Sequence, residues 1–377
     1  MQHVFLIPGF FGFANLGNIV YFSHVREFLA ARLEAQGLDA AVHAVPTDPT
    51  ASLTTRALKL LEAIEAAGVG QGEGEEIHLV GHSTGGLDAR MFASPGVNLP
   101  TERAAEPMAR LVRSVISVAT PHRGTAVASF FNSLFGQQLL GLLSVATIYT
   151  LRHGPLPLTA LLQLGALFAR LDDHLGFRNT VVDHLFDELL RDFTPERRQA
   201  IEDLLGQMQR DSSLLGQLTP EAATLLNALT VDRPGARYAS VVCATPPPGL
   251  RSIGTVGLDP YAQATHALYF ALFRVTGQTR SVTLEHLSEA DRAALAGELR
   301  FPLTDAVNDG IVPLASQPWG EIIHVTNADH LDVIGHFDGA DLDPPHRDWF
   351  ASGSTFKHPE FKALWSDVAA FIARSPR

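Results

Sequence analysis

Short apolar runs of β type, each followed by a stretch of helical periodicity, recur through the first third of the chain, and this alternation restricts the fold more than any other feature. HVFLI precedes YFSHVREFLAARLEAQG, DAAVHAV precedes LTTRALKLLEAIEAAG, IHLV precedes the turn GHSTGG, and RSVISVA comes next. Strands that alternate with helices pair in parallel, and the helices cover the faces of the sheet. In the second helical stretch Leu53, Ala57, Leu60, Leu61 and Ile64 fall on one face. That face is expected to pack on the sheet, with Arg56, Lys59, Glu62 and Glu65 lying off it. Strand patterns resume at ARYASVVCA and GEIIHVT, and PEFKALWSDVAAFIA predicts a closing helix. With 377 residues, 46% hydrophobic and 18% charged, the chain can bury a substantial core.

Between these strand-bearing blocks the pattern changes. From Gly124 to Leu151 there is no charged residue, and Phe, Leu and small side chains dominate. Three readings are open: a membrane span, against which Asn132, Gln137, Gln138 and three glycines count; a buried helix pair; and a mobile helical cap over an active site. Phe130, Phe131 and Leu134 of this run, and Phe11 on the loop after the first strand, are the candidate substrate and cap residues. Helical patterns continue from Leu156 to about Leu229. The expected division is a core of residues 1–124 and 231–377 with a helical cap inserted at 125–230.

The net charge of −12 would repel a phosphate backbone, which argues against a nucleic-acid partner. Cys243 is the single cysteine, so no intrachain disulfide forms, and its setting in YASVVCA predicts a buried, inert thiol. MQHVFLIPGFFGF has neither a basic leader nor a long apolar core before small residues. No signal peptide is expected, which leaves a cytoplasmic protein, export without a visible signal, or a mature form.

The stretch IHLVGHSTGG carries the chemistry. A serine on a sharp strand-to-helix turn projects above the sheet, and such a crowded backbone requires small neighbours, here Gly81 and Gly85. The helix that follows brings free N–H groups and the positive end of its dipole to any oxyanion forming there. A neutral hydroxyl also needs a base and a group to orient that base, so the rest of the chain must supply both.

This turn, together with VNDGIVP, NADHLDVIGH, the loop IPGFFGF and the segment ATPHRGT, resembles the bacterial triacylglycerol lipases of the α/β-hydrolase fold with a Gly-His-Ser-x-Gly-Gly turn. YFSHVREFL is similar to their first helix. The likeness fades from roughly Phe130 to Thr230. It implies a mostly parallel central sheet flanked by helices, with Ser83 as nucleophile, Asp309 as acid and His330 as base, in the order that fold requires. Oxyanion donors would be the backbone N–H groups of Thr84 and Phe10. Pro8 stands where many relatives carry histidine. His82, His324, His336 and His346 are rival bases, Asp305 and Asp332 rival acids, and the resemblance makes His122 a structural neighbour of the site.

The same resemblance brings a structural calcium into question. Asp332 matches one of two aspartates that hold the ion in many of these lipases, but Leu287 stands at the other position, with Asp291 the nearest substitute. One carboxylate with carbonyls makes a poor site for a hard cation, and no cofactor is required by the chemistry. The expected activity is serine carboxylester hydrolysis of lipid-like or other apolar esters, in lipid metabolism and at a lipid interface or free of one. The alternatives are another acyl-transfer role, such as thioesterase, acyltransferase or amidase, or a non-catalytic protein that binds an apolar ligand.

Overall fold

The computed structural model describes residues 1–10, 21–72, 74–153, 156–169, 179–249, 252, 256, 257 and 259–374. Its strands are β1 (Gln2–Ile7), β2 (Ala40–Ala44), β3 (Glu76–His82), β4 (Val112–Val118), β5 (Arg237–Ala244) and β6 (Glu321–Asn327). Among the described residues they form one sheet in the order β2-β1-β3-β4-β5-β6, with every neighbouring pair parallel. The apolar runs predicted as strands all take their places in it. Such runs are nearly continuous because a parallel sheet is covered on both faces.

The twofold alternation of strand side chains divides the core. Val4, Leu6, Val80, Ile116 and Val118 face one side, where they meet Val25, Leu29 and Leu33 of helix α1 (Val25–Ala35). Phe5, Ile7, Ile77, Leu79 and Val115 face the other, against Ala57, Leu60, Leu61 and Ile64 of α2 (Leu53–Ala66) and Ala89, Phe92 and Ala93 of α3 (Thr84–Ala93). Short α4 (Ala105–Ala109) completes that layer.

Two local expectations are overturned. Helix α1 begins at Val25 and not at Tyr21: His24 caps it in the left-handed region (φ 59°), and Ser23 N–H donates to Ile334 O, so YFSH is held by a distant loop instead of by the helix. Arg56 does not lie off the packed face of α2. It is fully buried beneath the loop after β1, because its guanidinium finds a carboxylate and carbonyls there.

Between β4 and β5 the described chain contributes helices and no strand: α5 (Ala126–Phe131), α6 (Leu134–His153), α7 (Leu158–Ala169), α8 (Asn179–Leu190), α9 (Pro195–Arg210), α10 (Ser213–Gln217) and α11 (Pro220–Leu229). The uncharged run therefore folds as the pair α5 and α6, burying Val127, Ala128, Phe131, Leu139, Leu142, Val145 and Ile148. No helix among the described residues is long and apolar enough to cross a membrane. After β5 come α12 (Pro260–Thr276), α13 (Glu289–Leu299) and α14 (His358–Ala373), the last packing against α1.

Candidate active site

Ser83 sits between β3 and α3 with φ 54° and ψ −127°. A non-glycine residue in that region carries a strain of about 1–3 kcal/mol, which the surrounding packing must hold in place. Here the backbone is pinned by Ser83 N–H donating to Val118 O on the neighbouring strand. Close packing explains the glycines. A Cβ on Gly81 would lie 2.2 Å from the carbonyl of Gly85, one on Gly85 2.1 Å from Ile7 O, and one on Gly86 2.1 Å from Thr120 Oγ1. The sequence reading found the first two of these; Gly86 emerges only from the contact between α3 and the end of β4. Thr84 opens α3, so its N–H has no partner one turn back in the helix.

His330 follows β6 by a short loop, and its Nδ1 lies 2.8 Å from Asp309 Oδ2 in a buried pair. Among the described residues the element before Asp309 is helix α13 and not a strand. Its turn docks on the end of β5 through Thr245 N–H to Asn308 O, and Gly310 at φ 98° closes it. The other carboxylate oxygen accepts from the N–H groups of Ile311 (2.9 Å) and Val312 (2.7 Å). Gln317 Nε2 donates to Oδ2 at 3.3 Å. These bonds fix the face that the carboxylate turns to the imidazole. His330 N–H also donates to Asp309 O, so backbone and side chain tie the two loops together.

Phe10, Ser83, Thr84 and His330 line one cavity of about 40 Å³. Its walls are Tyr21, Pro121, Thr125, Val127, Ala128, Phe131, Leu215, Leu218, Ile311 and Val312, an apolar set apart from Tyr21 and Thr125. No hydrogen bond joins Ser83 to His330 among the described residues, an arrangement common where catalytic contacts tighten only with substrate bound. Of the residues expected to face substrate, Phe131 lines the cavity, and Phe130 packs edge-on against it at 5.1 Å. Phe11 and the side chain of Leu134 lie outside the described residues. Tyr21, Val127, Leu215 and Leu218 were not anticipated; the two leucines come from α10 and the turn after it, far along the chain and without a distinguishing pattern.

The loop Pro8–Gly9–Phe10 is held from below and from the side. Arg56 donates to Pro8 O (2.7 Å) and Asp48 O (2.8 Å) while pairing with Asp88 of α3. Support for the loop thus comes from α2. Gly9 N–H donates to the Tyr21 hydroxyl, and a Cβ on Gly9 would come within 2.5 Å of Ser83 Cβ.

The rival residues are engaged elsewhere. His324 pairs with Asp367, His336 bonds Tyr21 O, His346 bonds Gly335 O, and Asp305 accepts from Leu284 N–H. His122 contacts Arg90, whose charge, after burial, helps hold the imidazole neutral. Burial pushes the Cys243 thiol well up, consistent with an inert group beside Asp309.

Asp332 lies in a different cluster, beneath the His330 loop. Its carboxylate and those of Asp329 and Asp348 can each place an oxygen within 4.8 Å of the others. Burial, reinforced by the charge of Asp329, pushes Asp332 and Asp348 well up, and burial raises Asp329 to about 6. Oδ2 of Asp329 has no hydrogen-bond partner among the described residues. Hard oxygen donors crowded in this way fit a divalent cation. Leu287 is instead core, and Asp291 bonds Ser288 at the start of α13.

No protein-family model matches this chain, and no curated protein does. Solved structures do. EstA from Clostridium botulinum superposes with a TM-score of 0.53 at 18% identity, covering 100% of this chain and 88% of that one. Lipase 1 from Pelosinus fermentans gives 0.56 at 15%, covering 100% and 99%. Staphylococcus hyicus lipase gives 0.52 at 16%, covering 99% and 95%. At such identities the likeness concerns architecture. With the single parallel sheet and its flanking helices, it establishes that this chain has the α/β-hydrolase fold.

Proposed function

We propose that the protein is a serine carboxylester hydrolase acting on apolar esters through an acyl-enzyme. The observation that carries this reading is the meeting of Ser83, on its strained turn, with His330 in one apolar cavity, His330 being paired in turn with the buried Asp309. Ser83 Oγ attacks the ester carbonyl as His330 Nε2 takes its proton, and Asp309 stabilises the imidazolium at Nδ1. Negative charge collects on the former carbonyl oxygen, towards the N–H groups of Phe10 and Thr84. Collapse expels the alcohol, which receives the proton from His330. Water then adds by the same route, its proton passing to His330 and on to Ser83 Oγ as the acid leaves.

A cavity of about 40 Å³ holds little more than water, whereas ligand sites run to hundreds of cubic ångströms. Residues 125–230 serve as a cap, and α5 and α10 move off Ser83 before substrate enters. Asp329, Asp332 and Asp348 would hold a calcium ion, whose charge would favour their ionised forms and tie together the segments on either side of His330.

Fluorophosphonate labelling tests the reading. Folded wild-type protein is expected to take the label at Ser83 and to hydrolyse p-nitrophenyl esters, with both lost in Ser83→Ala; an unlabelled wild type would overturn it.

A further inference from the structure

Tyr21 and His82 connect two parts of the candidate site that the hydrolase reading uses separately. Gly9 N–H donates to Tyr21 Oη at 2.9 Å, Tyr21 Oη meets His82 Nδ1 at 2.6 Å, and His82 Nε2 meets the carbonyl oxygen of His330 at 2.9 Å. All three linking groups are buried. The proton order along this chain has one solution. A carbonyl oxygen can only accept, so His82 Nε2 carries hydrogen. Burial and the neighbouring His330 keep His82 neutral, which leaves Nδ1 as a lone pair. Tyr21 must then donate to Nδ1 and use its oxygen to accept from Gly9.

The His82 and His330 rings also pack at 4.6 Å between centroids, tilted by 45°. Tyr21 is itself stitched to the loop beyond His330, since His336 Nε2 donates to Tyr21 O and Ser23 N–H donates to Ile334 O. The Gly9 N–H is thereby turned towards Tyr21, which holds the Pro8–Gly9 peptide, the one adjoining the peptide that bears the Phe10 N–H. Resting on the ester-hydrolase reading, we propose that Tyr21 and His82 are positioning residues: one hydrogen-bonded chain that sets the oxyanion loop and the backbone of the base relative to each other across the nucleophile. Among the described residues neither hydrogen-bonds to Ser83 Oγ or His330 Nε2. Their effect is to keep the oxyanion donor and the base in mutual register through acylation and deacylation alike.

The test uses the full-length protein, p-nitrophenyl butyrate turnover and the rate of fluorophosphonate labelling. Tyr21→Phe removes the central hydroxyl and is expected to lower kcat and the labelling rate together by about 10- to 100-fold, the cost of displacing catalytic groups by a fraction of an ångström to an ångström, with KM within about twofold. His82→Leu does the same. The double variant is expected to be no slower than the worse single one, because breaking one chain twice adds nothing, whereas independent packing roles multiply. His82→Gln keeps a donor for the His330 carbonyl and is expected to recover most of the rate. If the variants do not fold, nitrogen-15 NMR of histidine-labelled wild type decides: the relay requires His82 as the neutral Nε2–H tautomer at neutral pH. The Nδ1–H tautomer, an imidazolium, a Tyr21→Phe rate within twofold of wild type, or multiplying losses would each overturn it. An unlabelled wild type overturns the hydrolase reading, whereas a labelled wild type with an equally fast Tyr21→Phe overturns the relay alone.

Discussion

Arg56 and Asp88 meet through three hydrogen bonds of 3.1, 2.9 and 2.7 Å beneath the loop after β1, and neither side chain reaches solvent. One helix on the far face of the sheet from α1 thus anchors the loop that the hydrolase reading uses for the oxyanion.

Removing one partner of such a pair leaves an uncompensated buried charge, so Arg56→Met is expected to cost on the order of 3–5 kcal/mol, measured by urea unfolding. Arg56→Met with Asp88→Leu removes both charges and is expected to regain most of that stability. Ester hydrolysis is not expected to return with it, because Pro8 O and Asp48 O still lack their donor. Full activity in a stable double variant would dissociate the anchor from catalysis.

Asp309→Asn tests the orienting acid. An amide turned to His330 either donates to Nδ1 or presents a neutral oxygen to it, and in both cases imidazolium formation loses its counter-charge. A fall in kcat of about 10³- to 10⁴-fold is expected with little change in KM. A loss of less than tenfold in steady-state turnover would move the role of acid elsewhere.

Acid sensitivity follows from buried neutral histidines. Burial lowers His78 and His336 to about 4, and lowers His82 and His122 well below their usual value. At these four sites the unfolded chain, with histidines near 6.5, binds more protons than the folded one between those limits. Their contribution to stability is therefore complete above about pH 6.5 and is lost as pH falls towards 4, at most about 1.4 kcal/mol per group per pH unit, while the raised Asp88 and Asp329 carboxyls act in the opposite sense below about pH 6. Thermal midpoints of wild type and His336→Gln across pH 7 to 4.5 isolate the histidine term. A wild-type midpoint that falls no faster with acid than that of His336→Gln would mean that this imidazole does not remain buried and neutral.

The acidic trio gives a prediction with a thermal readout. Calcium at 100 times its dissociation constant is expected to add about 2.7 kcal/mol of stability, seen as a raised midpoint that a chelator reverses. Asp348→Asn should abolish that response while leaving two carboxylates in place. Identical midpoints for wild type with calcium and with chelator would remove calcium from the account.

The sheet was legible because parallel strands buried on both faces leave unbroken apolar runs, as in HVFLI and ARYASVVCA. Ser83, Asp309 and His330 could be singled out because the α/β-hydrolase fold fixes one order of nucleophile, acid and base along the chain, whereas triad chemistry alone allows several. Arg56 was misread because helical periodicity assigns every charge to solvent, and only the packed fold supplies Asp88 and the Pro8 carbonyl. Tyr21 was read as the start of a helix, since its contacts with Gly9 and His82 are made in three dimensions and leave no period in sequence. Asp348 joins Asp329 and Asp332 from a separate loop, and Leu218 reaches Ser83 from the end of a helical segment; neither spacing is fixed by local rules.

The site is assembled from distant parts of the chain. Ser83 and its turn rest on β1, β3 and β4, whereas Asp309 and His330 arrive with β5 and β6. Domains emerge from the ribosome N-terminus first. On the hydrolase reading, the segment bearing the serine is made long before the base that would activate it, so Ser83 gains that partner only when the last strand docks. Completion of the sheet and onset of reactivity would then be one event.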